Sequence, residues 1–169
     1  WRRGPTRPMT DTAPDFAFTS PDRDRYFEDY EAGAVHVLGQ VRVDGAKMLA
    51  FSQEFDPQDI HIDASKAASG PFRGLIASGW YTTSLMMPFL ARNFLSNVSS
   101  LASPGIDGLR WLAPVRADDT LTIRVTIIET RLSASKPDRG IVRTLIEVIN
   151  QDDILVMDIK GVNLVACRK

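Results

Sequence analysis

Residues 109–165 are a succession of β-branched runs cut by turn signals, and this pattern dictates an antiparallel sheet. The runs at 120–130, 141–150 and 154–165 are rich in Val, Ile and Thr, and the run at 109–112 reads Leu-Arg-Trp-Leu. They are separated by Ala117-Asp118-Asp119, by Lys136-Pro137-Asp138-Arg139-Gly140 and by Gln151-Asp152-Asp153. Connections this short join antiparallel neighbours, because a parallel crossover needs about a dozen residues or more. Four strands in a row, with nothing helical between them, exclude a doubly wound α/β fold.

Upstream the pattern changes. Residues 35–43 alternate Val35, Val37, Val41 and Val43 and predict a further strand. Asp44 is an N-cap candidate for a helix over 45–54, with Met48, Leu49 and Phe51 on its apolar side. A polar, proline-containing loop is expected over 56–61, and a short helix over 64–68. The longest helical spacing runs over 79–95, through Leu85, Met86, Phe89, Leu90 and Phe94, with Pro88 placed to kink it. A polar linker is expected over 96–105. Strand, helices and then four strands make an α+β protein in which an antiparallel sheet packs on one long helix. Residues 26–169 read as one domain. Residues 1–25 carry four of the ten prolines (Pro5, Pro8, Pro14 and Pro21) and no apolar periodicity, so they read as a flexible arm, with Met9 a candidate start.

Composition narrows the function. Twenty Lys and Arg against twenty-one Asp and Glu give a net charge of -1, which supplies no basic surplus for a nucleic-acid backbone. No apolar run approaches the roughly 20 residues of a membrane helix. One cysteine, Cys167, allows no internal disulfide and fits a reducing, cytoplasmic location. No metal site is expected. Histidine chemistry must use His36 or His61, and His36 reads as an ordinary strand residue.

Asp56 and His61, five residues apart, can both serve as general acid or base. By spacing alone, an Asp before Pro is usually a turn residue. The segment Gly74-Leu75-Ile76-Ala77-Ser78-Gly79-Trp80 leads small residues into the long helix. A helix start presents unbonded N–H groups, and glycine lets a ligand approach them. The plain alternative is a tight turn with Ser78 as the N-cap.

Four ordered segments together resemble the MaoC-like dehydratases, hot-dog-fold proteins that include (R)-specific enoyl-CoA hydratases. They are Tyr26-Phe27-Glu28-Asp29-Tyr30, Phe55-Asp56-Pro57-Gln58-Asp59-Ile60-His61-Ile62-Asp63, the glycine segment above, and Leu109-Arg110-Trp111-Leu112-Ala113-Pro114-Val115-Arg116. The resemblance implies a hot-dog fold, in which the sheet wraps a central helix. It implies that Asp56 and His61 are the acid–base pair, that Gly79 donates the backbone N–H to an oxyanion, and that Gln58, Ser78 and Trp80 contact substrate. Gln58 stands where many members have Asn, Asp59 where proline is usual, Ser78 where many (R)-hydratases have histidine, and Ala117 where glycine is usual.

The implied reaction is reversible syn hydration of a trans-2-enoyl thioester by a lyase. Asp56 and His61 would hold and deprotonate the water that attacks C3, and a proton would reach C2. No cofactor is implied, because CoA enters as part of the substrate. Arg73, Arg110 and Lys136 are candidates for its phosphates, with solvated surface charge as the ordinary reading. A homodimer is implied. Two other activities fit the same fold: an acyl-CoA thioesterase, and a non-catalytic acyl-thioester-binding subunit.

Overall fold

The computed structural model describes Phe18 and residues 24–169. The expected flexible arm therefore lies outside the described residues, apart from Phe18, Asp24 and Arg25. In chain order the elements are β1 (Val35–Arg42), α1 (Gly45–Phe55), α2 (Asp59–Ile62), α3 (Ala64–Ser69), α4 (Gly79–Phe89), β2 (Ser100–Trp111), β3 (Thr120–Leu132), β4 (Arg139–Ile149) and β5 (Leu155–Ala166). The strands form one antiparallel sheet in the order β1-β3-β4-β5-β2.

Alternation places the core on one face. Leu121, Ile123, Val125 and Ile127 of β3 are completely buried, as is Val142 of β4, with Val148 and Ile159 close behind. Each such side chain contributes about 1.5–3 kcal/mol on burial. Tyr81 and Met86 of α4, with Leu90 and Phe94 beyond it, belong to the same apolar cluster.

The long helical pattern holds, with one change of winding. Pro88 lies inside α4. Residues Leu90–Phe94 follow as a π-helical turn, in which the Leu95 N–H donates to the Leu90 carbonyl at 2.8 Å. Asn93, in that turn, donates to the Leu38 carbonyl at 2.7 Å. The register of β1 shifts between Val37 and Gly39. Gly39 has φ +133, and a Cβ there would lie 2.9 Å from the Phe89 ring. Glycine is required here both for the backbone conformation and for the close approach of the helix.

Two expectations are corrected. The polar linker over 96–105 is largely strand, because β2 begins at Ser100. Its first eight residues are all exposed, so this edge strand carries no burial alternation for a sequence pattern to report. The expected loop over 56–61 contains α2, one helical turn in which the Gln58 carbonyl accepts from the N–H groups of His61 and Ile62 at 2.8 and 3.2 Å. Pro57 separates this turn from α1, since a proline disfavours helical backbone in the residue before it. Asp44 caps α1 as expected, accepting from the N–H groups of Ala46 and Lys47.

At one end of the molecule Phe18 packs on the body. Its ring stacks on His36 at 4.3 Å, and the Arg25 guanidinium lies 3.8 Å from its centroid. His36 is buried in this cluster. Among the described residues no helix is long and apolar enough to cross a membrane.

Candidate active site

Pro57 ends α1 so that Asp56 is its C-cap residue, and α2 then carries His61 back toward it. Asp56 Oδ2 lies 3.4 Å from His61 Nε2. The other ring nitrogen, Nδ1, is 2.9 Å from the Ile76 carbonyl oxygen. A carbonyl only accepts, so this network assigns the proton of a neutral imidazole to Nδ1. The Nε2 lone pair then faces the Asp56 carboxylate. Two acceptors this close suit a shared water or a proton between them.

The Asp56 carboxylate is held from two further sides. Gln58 Nε2 donates to Oδ1 at 2.6 Å, and the Ser78 hydroxyl donates to Oδ2 at 2.6 Å. Burial pushes the Asp56 carboxyl up, but the Gln58 and Ser78 hydrogen bonds and the His61 ring outweigh it and hold it below its ordinary value of 3.8. Asp56 is thus a persistent carboxylate, and His61 Nε2 is turned toward the same space.

Ser78 is completely buried and has two tasks. It is the N-cap of α4, accepting from the Trp80 N–H at 3.3 Å, and it orients Asp56. It lies behind the carboxylate and off the cavity wall, so its part in the site runs through Asp56.

Gly79 opens α4, where N–H groups lack helical partners. A cavity of about 310 Å³ adjoins it, lined among others by Asp56, Gln58, His61, Gly79, Trp80 and Trp111. Five of the six expected site residues therefore meet in one place. Trp111 is a further lining residue, one that the sequence pattern marks only as part of the 109–116 segment. Its indole lies directly over Gly79: an added Cβ would sit 2.5 Å from Trp111 Cδ2 and 2.8 Å from Nε1. The glycine is required by this packing, which leaves no room for a side chain.

The suggested phosphate contacts are elsewhere engaged or exposed. Arg110 forks onto Asp158, with bonds of 3.1 and 2.8 Å. Arg73 and Lys136 are exposed. Arg116 is structural: its guanidinium reaches the carbonyls of Leu75 and Phe72 and ties the glycine segment to the entry of β3. Among the described residues no three His, Cys, Asp or Glu side chains are arranged to hold a metal ion.

Comparison with known proteins gives a consistent picture. A family model described as "MaoC like domain" matches residues 32–148. A solved MaoC-like dehydratase from Rhodospirillum rubrum is 32% identical, with a TM-score of 0.80, over 86% of this chain and 99% of that one. An uncharacterised protein of Bacillus subtilis (strain 168), YdeM, is 26% identical over 78% of this chain and 92% of its own length. A 3-hydroxybutyryl-CoA dehydratase of Methylorubrum extorquens is 30% identical over 62% of this chain and 64% of its own length.

Proposed function

The chain belongs to the MaoC-like domain family, with the hot-dog fold, and on that premise we propose that it is a hydro-lyase interconverting a trans-2-enoyl thioester and its 3-hydroxyacyl thioester. The observation that carries this reading is the convergence of Asp56 Oδ2 and His61 Nε2, at 3.4 Å, on a cavity that also borders Gly79.

A water on the cavity side of the pair donates one hydrogen bond to Asp56 Oδ2 and the other to His61 Nε2. His61 takes a proton as the water oxygen bonds to C3. The C2=C3 electron pair moves onto the thioester, whose carbonyl oxygen accepts the Gly79 N–H. Such a donor is worth most where negative charge develops. The His61 imidazolium, stabilised by Asp56, returns the proton to C2 on the same face. Water has then been added, no proton is left over, and dehydration is the reverse path. Asp56 suits the constant-charge role because its own proton affinity is low. Gln58, Ser78 and the Ile76 carbonyl hold the two groups in place.

The match to a 3-hydroxybutyryl-CoA dehydratase supports a short acyl-CoA as the first substrate to try. Incubation with crotonyl-CoA tests the proposal. Loss of enoyl-thioester absorbance without release of thiol is the expected result. Free thiol would instead indicate hydrolysis, and no change in either signal would indicate binding alone.

We further propose a homodimer. The edge strand β2 has exposed Leu101 and Ile106, 46% and 53% accessible, and an unpaired outer edge of this kind is a template for a second chain. Light scattering should return twice the 18.7 kDa chain mass or more, and a monomer at micromolar concentration would refute it.

A further inference from the structure

We propose that Trp111 is the specificity-determining wall of this site: its indole is the fixed surface against which the flat 2-enoyl group lies, and it limits how bulky a substituent C3 can carry. The inference deepens the enoyl-thioester reading above and rests on it.

Three contacts fix the ring. Its face covers Gly79, leaving no room for a side chain there. Its Nε1–H donates to the Thr83 hydroxyl at 3.2 Å, and that hydroxyl donates in turn to the Gly79 carbonyl at 2.9 Å. The Trp80 ring meets it edge-on, with centroids 5.2 Å apart and planes at 78°. The end of β2 and the first turn of α4 are thereby locked together through one indole. Trp80 is the more exposed of the two rings, at 57% against 37% for Trp111.

Position gives the ring its consequence. It touches Gly79 itself, the residue whose N–H is the proposed carbonyl donor. A carbonyl oxygen hydrogen-bonded to that N–H stands about 2.9 Å from the nitrogen. The next carbons of the acyl group, C2 and C3, must then run beside the indole. Asp56 and His61 line the same cavity and must reach C3 and C2 through the bridging water and the returned proton. The conjugated C=C–C=O unit is planar, and an aromatic face offers a flat, apolar surface that matches it. Thr82 and Val156 contribute further lining and are buried.

The test compares crotonyl-CoA with trans-2-hexenoyl-CoA, by kcat/KM, for wild type, Trp111→Leu, Trp111→Phe and Thr83→Val. One methylene more or less in an apolar pocket changes kcat/KM by about 10–200-fold. Trp111→Leu should therefore raise the hexenoyl-to-crotonyl ratio by about tenfold or more, with a higher KM for crotonyl-CoA. Thr83→Val frees the ring without removing it and should shift the ratio the same way by less. A ring that serves stability alone would lower the melting temperature and leave the ratio unchanged, which would overturn the proposal while the hydratase reading stood. If Trp111→Leu does not fold, Trp111→Phe carries the comparison, since it loses the Nε1–H and the outer ring. If the wild type hydrates neither substrate, the hydratase reading falls and indole fluorescence decides the wall. Quenching by crotonyl-CoA that survives in Trp80→Phe and is lost in Trp111→Phe retains it, and no quenching removes it.

Discussion

Ser78→Ala removes two interactions at once, and pH separates them. The hydroxyl donates to Asp56 at 2.6 Å and accepts from the Trp80 N–H at the start of α4. A hydrogen bond to a charged partner contributes about 1.5–3 kcal/mol, and a lost N-cap costs about 0.5–2 kcal/mol. The variant should therefore be about 2–5 kcal/mol less stable at neutral pH. For a chain of this length each kcal/mol lowers the melting temperature by about 2–4 °C. The carboxyl of Asp56 in the folded protein sits below its ordinary value. Its contribution to stability is thus complete above the ordinary carboxylate range and is lost as pH falls through the lowered folded value. The cap contribution does not titrate. The stability gap between wild type and Ser78→Ala should accordingly shrink on acidification and level off at the cap term. Urea titrations at a series of pH values below 7 measure it. A gap of constant size would show that Ser78 only caps the helix. If Asp56 must be ionised for turnover, the acid limb of the kcat/KM profile should also move to higher pH in Ser78→Ala.

Two other substitutions probe packing. Gly79→Ala forces a methyl into the Trp111 ring and should cost about 1–3 kcal/mol, as overpacking does. The same change in a Trp111→Leu background should cost nothing or stabilise, because alanine is the better helix former; additive effects in the double mutant, read from thermal melts, would refute the contact. Phe18→Ala removes the stack on His36 and the partner of Arg25, and should lower stability by about 2 kcal/mol, less than the 3–5 of a fully buried phenylalanine. An unchanged melting temperature would show that Phe18 does not dock in solution.

The parts of the fold legible in the sequence are those with one buried face. β3 and β4 alternate because only one side of each is in the core, and Asp44 is recognisable as a cap because its side chain acts two and three residues away. The first part of β2 is a strand by hydrogen bonding alone and is exposed throughout, so nothing in its side chains declares it. In the site, Asp56 and His61 are legible from residue type and motif, and Gly79 from its place before a helix. The Ile76 carbonyl that fixes the His61 tautomer is main chain and leaves no mark in composition. Ser78 is legible as a cap but not as the partner of Asp56, 22 residues away. Trp111 meets Gly79 only because β2 ends beside α4, a long-range juxtaposition that no local pattern encodes.

The central claim is that Asp56 and His61 act together on one water. Steady-state hydration of crotonyl-CoA by wild type, Asp56→Asn and His61→Gln tests it most directly, with circular dichroism and substrate binding measured on the same samples. Both substitutions are nearly isosteric, so both variants should fold and bind. Each should lose about 10²-fold or more in kcat, the usual scale of acid–base catalysis. Turnover at the wild-type rate in either folded variant would contradict the account and remove that residue from the reaction.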